Sequence, residues 1–358
     1  MKRFVNFIHL CFVLFSIIGI FSYASSYANG VTDALMVYDA LRGYSVPKYR
    51  IWDGASWWPE QSASPIHWTE IYHMQIRYSP VRDEAILVAL TNTWEIQAQF
   101  YNGSSWSSAV TLSVVWDTLW NPNGGSLYRW FDVEYENNSG DAVIVVADNT
   151  ADPNYYIWDG ESWSNGANID IPTVGRPYWI ELAHRPWSDE LALMTLDSNS
   201  DIYGMRWTWS VWNNMGTTSA WETSASASTK KAIDVSFENT SGSIMFAWWQ
   251  SSGVKYRMYS GGLLSSPQSF SNSNGSWWIN WLKLAPNSAT GSDQIMLAAT
   301  DVWGNLNSFL WNGDMWSSPH PEHDDSLENG GIEMDFDITF ETHGDNPNDA
   351  WIVWSDGD

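Results

Sequence analysis

Carboxylate side chains recur in two columns along this chain, at a spacing of about 52 residues. The first column follows short apolar runs and consists of Asp39, Asp148, Asp197, Gln250, Asp301 and Asp356, with Thr91 in place of one member. The second lies inside apolar runs and consists of Gln75, Asp132, Glu181, Asp234, Lys283 and Asp337. Converging carboxylates could bind Ca²⁺, which prefers oxygen ligands, or accept hydrogen bonds from sugar hydroxyls. Both columns also have a structural explanation, because an Asp after a strand caps turn amides and a polar side chain within a strand can face water.

An aromatic column lies just before the second carboxylate column. Its aligned members are His73, Trp130, Trp179, Ala232, Trp281 and Asp335, preceded by Tyr72, Arg129, Tyr178 and Lys231. Aromatic rings beside carboxylates can stack on a sugar, although in a chain with 27 Trp such rings also serve packing. We expect the ligand site, if the chain has one, to be formed by Trp130, Trp179, Trp281, Arg129, Tyr178, Asp148, Asp197 and Asp301. The Trp179 ring is expected to be partly solvated there.

Metal ligands and catalytic motifs are few. Residues 320–325 place His, Glu and Asp side chains in one loop, and residues 197–201 have the spacing of half a calcium loop, without its glycine and final glutamate. The chain has no phosphate-binding glycine loop, no G-x-S-x-G elbow and no H-E-x-x-H motif. Ca²⁺ is the one cofactor that these residues allow, and no complete site for it is predicted. A glycosidase that uses two column carboxylates stays open, because its chemistry requires one acid and one base.

A repeated hairpin is the element that must position these columns. In residues 155–163 an alternating aromatic run ends in Asp159-Gly160, and Trp163 follows. Similar copies occur at residues 49–57, 99–106 and 309–316, and degenerate ones at 206–212 and 257–261. Asp-Gly and Asn-Gly favour hairpins because they tolerate the positive φ of a type I′ turn. The Trp three residues after the glycine is predicted to fold back and seal the hairpin.

The period of the hairpin suits a four-stranded propeller blade. Short alternating runs between Gly, Asn, Ser and Pro residues predict strands, and no long amphipathic helix is evident. The fold class is therefore predicted to be an all-β propeller whose strands we name a to d in each blade. Six blades are favoured and seven are allowed, because strand b occurs first at residues 34–38, with no strand a before it, and again at 350–354. The carboxylate and aromatic columns would share one face, and the Asp-Gly hairpins the other.

The hairpin motif resembles the Asp-box (BNR) repeats of sialidase-like propellers, in which an Asp, a Gly and a following Trp close an outer hairpin. The resemblance covers most of the chain after its N-terminal segment, but Asp and Gly are adjacent here and a spaced Ser is missing. In that family the box lies away from the active site. The arginines of this chain also occupy unlike positions in the repeat, so the family's catalytic residues cannot be transferred.

The N-terminal residues 1–28 predict a secretory signal peptide, with Lys2 and Arg3 before an apolar run over residues 4–21. The only cysteine, Cys11, lies in this segment. Residues 31–358 are predicted to form a single propeller domain, which could be truncated at its C-terminus. The formal net charge of −25 argues against nucleic acid and anionic membranes as partners.

Three functions remain after these exclusions. The favoured one is a non-catalytic binding propeller, secreted or on the cell surface, whose partner is a glycan or another cell-surface polymer. The alternatives are a sialidase-like glycoside hydrolase that uses ring carboxylates and a structural component of a surface layer or filament. The sequence leaves the oligomeric state open, and no second apolar run reaches the length needed to cross a membrane.

Overall fold

The computed structural model describes residues 19–22, 34–39, 45–66, 70–115, 128–225, 230–250, 253–270, 278–317, 323, 336–341 and 349–354. Every regular element in this part of the chain is a β-strand. Within these ranges there is no helix with the length and apolar character needed to cross a membrane. The chain divides into two compact units, Met1–Asn149 with Asn154–Ala167, and Thr150–Pro153 with Asn168–Asp358.

The first unit holds three sheets, each with its strands in chain order. Sheet 1 comprises β1 (Gly19–Ser22), β2 (Ala34–Tyr38), β3 (Lys48–Trp52) and β4 (Gln61–Ser62). Sheet 2 comprises β5 (Ile71–Tyr78), β6 (Ala85–Thr91), β7 (Glu95–Tyr101) and β8 (Val110–Val114). Sheet 3 comprises β9 (Phe131–Tyr135), β10 (Ala142–Val146), β11 (Asn154–Trp158) and β12 (Ala167–Asn168). The first strands β1, β5 and β9 are neighbours, so each sheet stands beside the next.

The second unit holds four sheets of the same kind. Sheet 4 comprises β13 (Pro177–His184), β14 (Glu190–Asp197), β15 (Ile202–Thr208) and β16 (Trp212–Asn213). Sheet 5 comprises β17 (Ile233–Phe237), β18 (Ile244–Gln250), β19 (Gly253–Ser260), β20 (Leu263–Leu264) and β21 (Gln268–Phe270). Sheet 6 comprises β22 (Ile279–Pro286), β23 (Ile295–Asp301) and β24 (Leu306–Trp311), and sheet 7 comprises β25 (Phe336–Phe340) and β26 (Ala350–Trp354). The first strands β13, β17, β22 and β25 are again neighbours in this order. The predicted fold class, an all-β propeller built from four-stranded blades, is confirmed.

Strand β1 lies inside the segment predicted as a signal peptide. It pairs with β2 along its whole length, so the expectation that no strand a precedes β2 is wrong. The described strands form seven sheets, which is the larger of the two blade counts that the sequence allowed. The signal peptide over residues 1–28 and the single domain over residues 31–358 stay predictions.

The second strands of sheets 2, 3 and 4 lie deep in the core. Every residue of β6, β10 and β14 is buried. A strand that is covered on both faces gains from apolar side chains at every position, which explains why these segments read as continuous apolar runs. Buried aromatic rings fill the larger spaces, among them Trp130, Trp179, Trp207 and Trp248.

The repeated hairpin has the predicted construction in sheets 1, 2, 3 and 6. In each copy the Asp or Asn side chain accepts two backbone N–H bonds of 2.7–3.1 Å, and the glycine has a φ of 83–97°. The ring of the following Trp lies 5.3–5.7 Å from the ring that precedes the turn, so the predicted seal is confirmed. The predicted type I′ geometry is wrong for these four turns, because it requires positive φ at both central residues and only the glycine has one.

Sheets of two kinds alternate along the chain. The first strands of sheets 2, 4 and 6 have eight residues and a bulge near their start. The first strands of sheets 3, 5 and 7 have five residues and begin with Phe131-Asp132, Ile233-Asp234 and Phe336-Asp337. A bulge adds one residue to a strand and redirects the side chains next to it. The structural repeat is therefore a pair of sheets, twice the period that the hairpin motif shows.

Candidate functional site

The carboxylates of Asp197 and Asp301, predicted to contact a ligand, are engaged in turns. Both residues are fully buried. Asp197 accepts three backbone N–H bonds of 2.8–3.0 Å, and Asp301 accepts two backbone bonds and one side-chain bond of 2.8–3.0 Å. At the same position of sheet 2, the Thr91 hydroxyl accepts the amide of Glu95 at 3.3 Å. These contacts match the structural explanation for the first column, since an Asp or Thr here caps the turn after the second strand.

The predicted tryptophans are mostly packed. Trp130 and Trp179 are 0% and 1% exposed, and half-buried Trp281 meets the Trp179 ring edge-on at 5.4 Å. The expectation of a partly solvated Trp179 ring is therefore wrong. The first strands of sheets 4, 5 and 6 are neighbours in this order, and Trp281 contacts the Trp179 ring from sheet 6.

Polar residues within the first strands pair with one another across neighbouring sheets. In the second unit, Lys231 Nζ lies 3.3 Å from Glu181 and 3.4 Å from Asp234, and all three residues are buried. Burial raises the pKa of the Asp234 carboxyl, and the nearby Lys231 ammonium opposes that rise. Equivalent contacts occur between Gln75, Arg129 and Asp132 and between Lys283 and Asp337. This column therefore joins each even-numbered sheet to the odd-numbered sheet that follows it.

The remaining predicted residues keep different amounts of exposed surface. Arg129 is buried and donates from Nε to the Phe131 carbonyl at 2.8 Å. Tyr178 is half-buried, and the guanidinium of Arg176 lies 5.4 Å above its ring. Asp148 is half-buried and accepts a 2.6 Å bond from a side-chain amide. A ligand role for Tyr178, Asp148 and Trp281 stays a prediction.

Metal-ligating side chains do not converge in the described part of the chain, where no group of three or more His, Cys, Asp or Glu is arranged to hold an ion. The predicted loop at residues 320–325 lies outside the described residues except for His323. The Nε2 atom of His323 hydrogen-bonds to Ser308 Oγ at 2.8 Å. In the calcium-like run, the buried Asp197 directs its oxygens at backbone amides.

A cleft of about 450 Å³ lies between the outer edge of sheet 4 and the third strand of sheet 5, both in the second unit. It is lined by Asn213, Met215, Gly216, Thr217, Arg257, Tyr259, Gly262, Leu263 and Leu264. Sites for small ligands usually have volumes of about 300–1,000 Å³ and combine apolar walls with a few convergent polar groups. Size and lining therefore suit a small polar molecule that has an apolar face.

Arg257 is the cation of this cleft. Its guanidinium lies 5.1 Å above the ring of Trp221, and its Nε donates to the Ser265 carbonyl at 2.7 Å. These two contacts fix the guanidinium plane, and no described residue accepts a hydrogen bond from its two Nη atoms. Burial lowers the pKa of Arg257, but a guanidinium stays protonated throughout the physiological range. Arg257 can thus present two preoriented donors to a ligand.

The Trp221 ring is held rigidly beneath the guanidinium. Its Nε1 donates to Thr217 Oγ1 at 3.1 Å, and the Tyr203 hydroxyl donates to the Thr217 carbonyl at 2.6 Å. A Cβ at Gly204 would lie 2.2 Å from an atom of the ring. Only glycine leaves room for the indole there, so the local sequence builds a fixed base for the cation.

Two charged pairs lie near residues that form the cleft or support it. Arg206 forms an ion pair with Glu190, and its guanidinium lies 5.6 Å above the ring of Tyr259. Lys255 lies 3.2 Å from Glu222. Burial on its own would raise the pKa of Glu222, but hydrogen bonds, first that from Lys255, outweigh it and keep the pKa below its usual value. The first pair contacts the cleft through Tyr259, and Glu222 of the second follows Trp221 in the sequence.

Sequence reasoning did not identify this cleft, although a signal for it was present. The degenerate hairpin copies at residues 206–212 and 257–261 belong to the two sheets that form the cleft. In sheet 5 the turn contains Gly261 and Gly262, both with positive φ, which is the type I′ pattern expected for the other copies. In sheet 4, Trp209 stands where the motif has glycine. Departures from the repeat, rather than its columns, mark this site.

Comparisons with known proteins identify a fold and no family. A scan against protein-family models finds no match, and a search of curated proteins finds none either. Among solved structures, the chain is similar to the BP39L lectin from Burkholderia pseudomallei, with a TM-score of 0.63 and 9% identity over 95% of this chain and 92% of that one. At this identity the likeness shows the propeller fold alone.

Two fungal proteins give lower scores. AofleA from Arthrobotrys oligospora has a TM-score of 0.49 and 13% identity, over 86% of this chain and 87% of that one. The Aleuria aurantia lectin, described as a six-bladed β-propeller with a fucose recognition mode, has a TM-score of 0.45 and 14% identity, over 85% and 95%. Scores below 0.5 support no conclusion about this chain.

Proposed function

We propose that this protein is a secreted, non-catalytic lectin-like propeller and that the cleft between sheets 4 and 5 binds a sugar. The observation that carries the proposal is the guanidinium of Arg257, held above Trp221 and by Ser265, in the lining of a cleft that also contains Tyr259 and leucine side chains. A pyranose has hydroxyls for such donors and a C–H face for the apolar wall. The lectin that shares the fold supports this class of ligand.

Export and the nature of the partner belong to the same proposal. The charged and apolar segments of residues 1–28 support secretion; removal of this segment would take away β1 and leave β2, β3 and β4 in sheet 1. The formal net charge of −25 supports a neutral glycan as partner rather than nucleic acid or an anionic membrane. The resemblance to Asp-box repeats stays a prediction.

A glycan array followed by calorimetry tests the proposal. The purified protein should retain a subset of glycans, and calorimetry with fucose, galactose, mannose, glucose and N-acetylglucosamine should identify the monosaccharide bound. Arg257→Ala should weaken binding by about tenfold or more, the usual loss of a charge-assisted hydrogen bond.

Arg176→Ala is the matched control, since Arg176 also lies above an aromatic ring but at the other end of sheet 4. It should bind like the parent protein. The proposal is overturned if the array retains no glycan, or if Arg257→Ala binds as well as the parent.

A further inference from the structure

Two exposed tryptophans occupy strained backbone positions at one end of sheet 4. Trp187 lies in the turn between β13 and β14, has a φ of 60° and is 76% exposed. Trp209 lies in the turn between β15 and β16, has a φ of 50° and is 65% exposed. The two turns are at the same end of the sheet, because Glu190 pairs with Thr208.

Positive φ is unfavourable for a residue with a Cβ, and little burial offsets it here. Trp209 occupies the position of Gly160 in the hairpin motif, and the turn keeps the same closing bond, from Thr208 N to Val211 O at 3.0 Å. Trp94 and Trp130 also have positive φ. The half-buried Trp94 meets the Tyr72 ring at 5.8 Å and Trp130 is fully buried, so both of those rings gain from packing. A positive φ at a tryptophan that is 65–76% exposed indicates a functional constraint on these two turns.

A series of polar contacts connects the region of these two turns with the cleft. Arg185 Nη1 donates to Glu190 at 2.6 Å, and Glu190 also pairs with Arg206. Arg206 in turn lies over Tyr259, which lines the cleft. A polar, hydrogen-bonding strip therefore lies between the two turns and the cleft. Such a strip suits a ligand that alternates C–H faces with hydroxyls better than it suits an apolar partner.

We propose that Trp187 and Trp209 form a second carbohydrate contact and that the ligand is an oligosaccharide extending from the cleft onto these two rings. This inference rests on the proposed function of the cleft. One sugar residue binds beside Arg257, and later residues of the same chain stack their C–H faces on the exposed indoles. The strained turns hold the two rings in exposed positions, so this pair of rings is ordered before the ligand binds.

Two variants and two probes test the proposal by calorimetry. The variants are Trp209→Gly and Trp187→Ala. The probes are the methyl glycoside of the monosaccharide that the protein prefers and an oligosaccharide that carries it. Each variant should lose about three- to tenfold in affinity for the oligosaccharide, as expected for one stacking contact, and bind the methyl glycoside within twofold of the parent. Trp209→Gly should not lower Tm, because glycine accepts the positive φ.

Other outcomes overturn the inference. If both variants bind the oligosaccharide as tightly as the parent, Trp187 and Trp209 do not contact the ligand. If each variant loses affinity equally for both probes, the two turns act through the shape of the cleft. If sedimentation shows that Trp209→Gly converts a dimer into a monomer, the rings are a contact between copies of the chain. Trp209→Asn, which also tolerates positive φ, replaces the glycine variant if that variant fails to fold.

The failure of this inference is distinguishable from failure of the proposed function. If Arg257→Ala abolishes binding of the methyl glycoside while the tryptophan variants keep full oligosaccharide affinity, the cleft is the binding site and the second contact is contradicted. If the parent protein binds neither probe, both proposals are contradicted.

Discussion

The two ends of sheet 4 carry similar residues and use them differently. At the end where β13 begins, Asp197 and Trp179 are buried, and Arg176 lies over the half-buried ring of Tyr178. At the other end, Trp187 and Trp209 are exposed. Towards that end, the cleft with sheet 5 contains another arginine above an aromatic ring.

The difference teaches how to read a repeat protein. A residue type that recurs in every blade reports what every blade needs, such as a turn cap or an inter-sheet ion pair. A blade that departs from the pattern reports what that blade alone does. The motif glycine is kept in sheets 1, 2, 3 and 6, whereas Trp209 replaces it in the sheet that borders the cleft.

Trp179→Ala should cause the largest loss of stability. Truncation of a fully buried tryptophan leaves a cavity and should lower the free energy of unfolding by about 3–5 kcal/mol. Urea unfolding followed by circular dichroism measures this loss. A variant that keeps its stability but loses glycan binding would move the binding site to the end where β13 begins.

Asp197→Ala should have the next largest effect. The variant leaves the buried amide of Gly175 and the part-buried turn amides of Asn199 and Asp201 without an acceptor, so stability should fall by about 1–3 kcal/mol, with a similar loss for Asp301→Ala. Glycan affinity should not change. Asp148→Ala is the control from the same column and should cost less, because that carboxylate is half-exposed. Equal stability for all three variants would contradict the capping role.

Gly160→Ala tests the role of the glycine that recurs in the regular hairpins. Its φ of 95° is unfavourable for alanine, and the new Cβ would lie 2.9 Å from the guanidinium of Arg82, so stability should fall by about 1–2 kcal/mol. Gly216→Ala is the matched control, with a φ of 80° and open space around the new Cβ. Thermal unfolding should show the larger loss for Gly160→Ala. A reversed order would mean that Arg82 relaxes at no cost.

The smallest loss of stability is expected for the Lys255–Glu222 pair, whose contribution depends on pH. Because the folded state lowers the pKa of Glu222, the ionised carboxylate stabilises the fold above its unfolded pKa of about 4.3, and this contribution is lost as pH falls through the lower folded pKa. Glu222→Gln should cost less than about 1 kcal/mol at neutral pH, since the pair is partly solvated. Unfolding curves of parent and variant should converge in acid. A difference that grows in acid would contradict the assignment.

The fold could be predicted from the sequence because its signal is local. Asp159 and Gly160 encode a side-chain cap and a positive φ, and Trp163 seals the same hairpin, so one short motif fixes the edge of each blade that carries it. The number of sheets was harder to predict. Strand β2 pairs with Gly19–Ser22, a segment whose composition is typical of a signal peptide, so the sequence did not assign the first sheet a strand at that edge.

The candidate site could not be predicted in the same way, because burial depends on residues that are distant in sequence. Trp179 is covered at a point where Trp281, two sheets further along the chain, meets its ring. The position of Arg257 likewise depends on Trp221, which belongs to the preceding sheet's outer edge. A periodic sequence pattern does not predict contacts between residues of different sheets. Only the two irregular hairpins indicated that sheets 4 and 5 differ from the other sheets.

A crystal of the protein soaked with the monosaccharide that binds best tests the central claim most directly. The account predicts electron density for one sugar in the cleft, with hydroxyls within hydrogen-bonding distance of the Arg257 Nη atoms and a C–H face towards the apolar wall. Sugar density beside Tyr178 and Trp281, with the cleft empty, would contradict it.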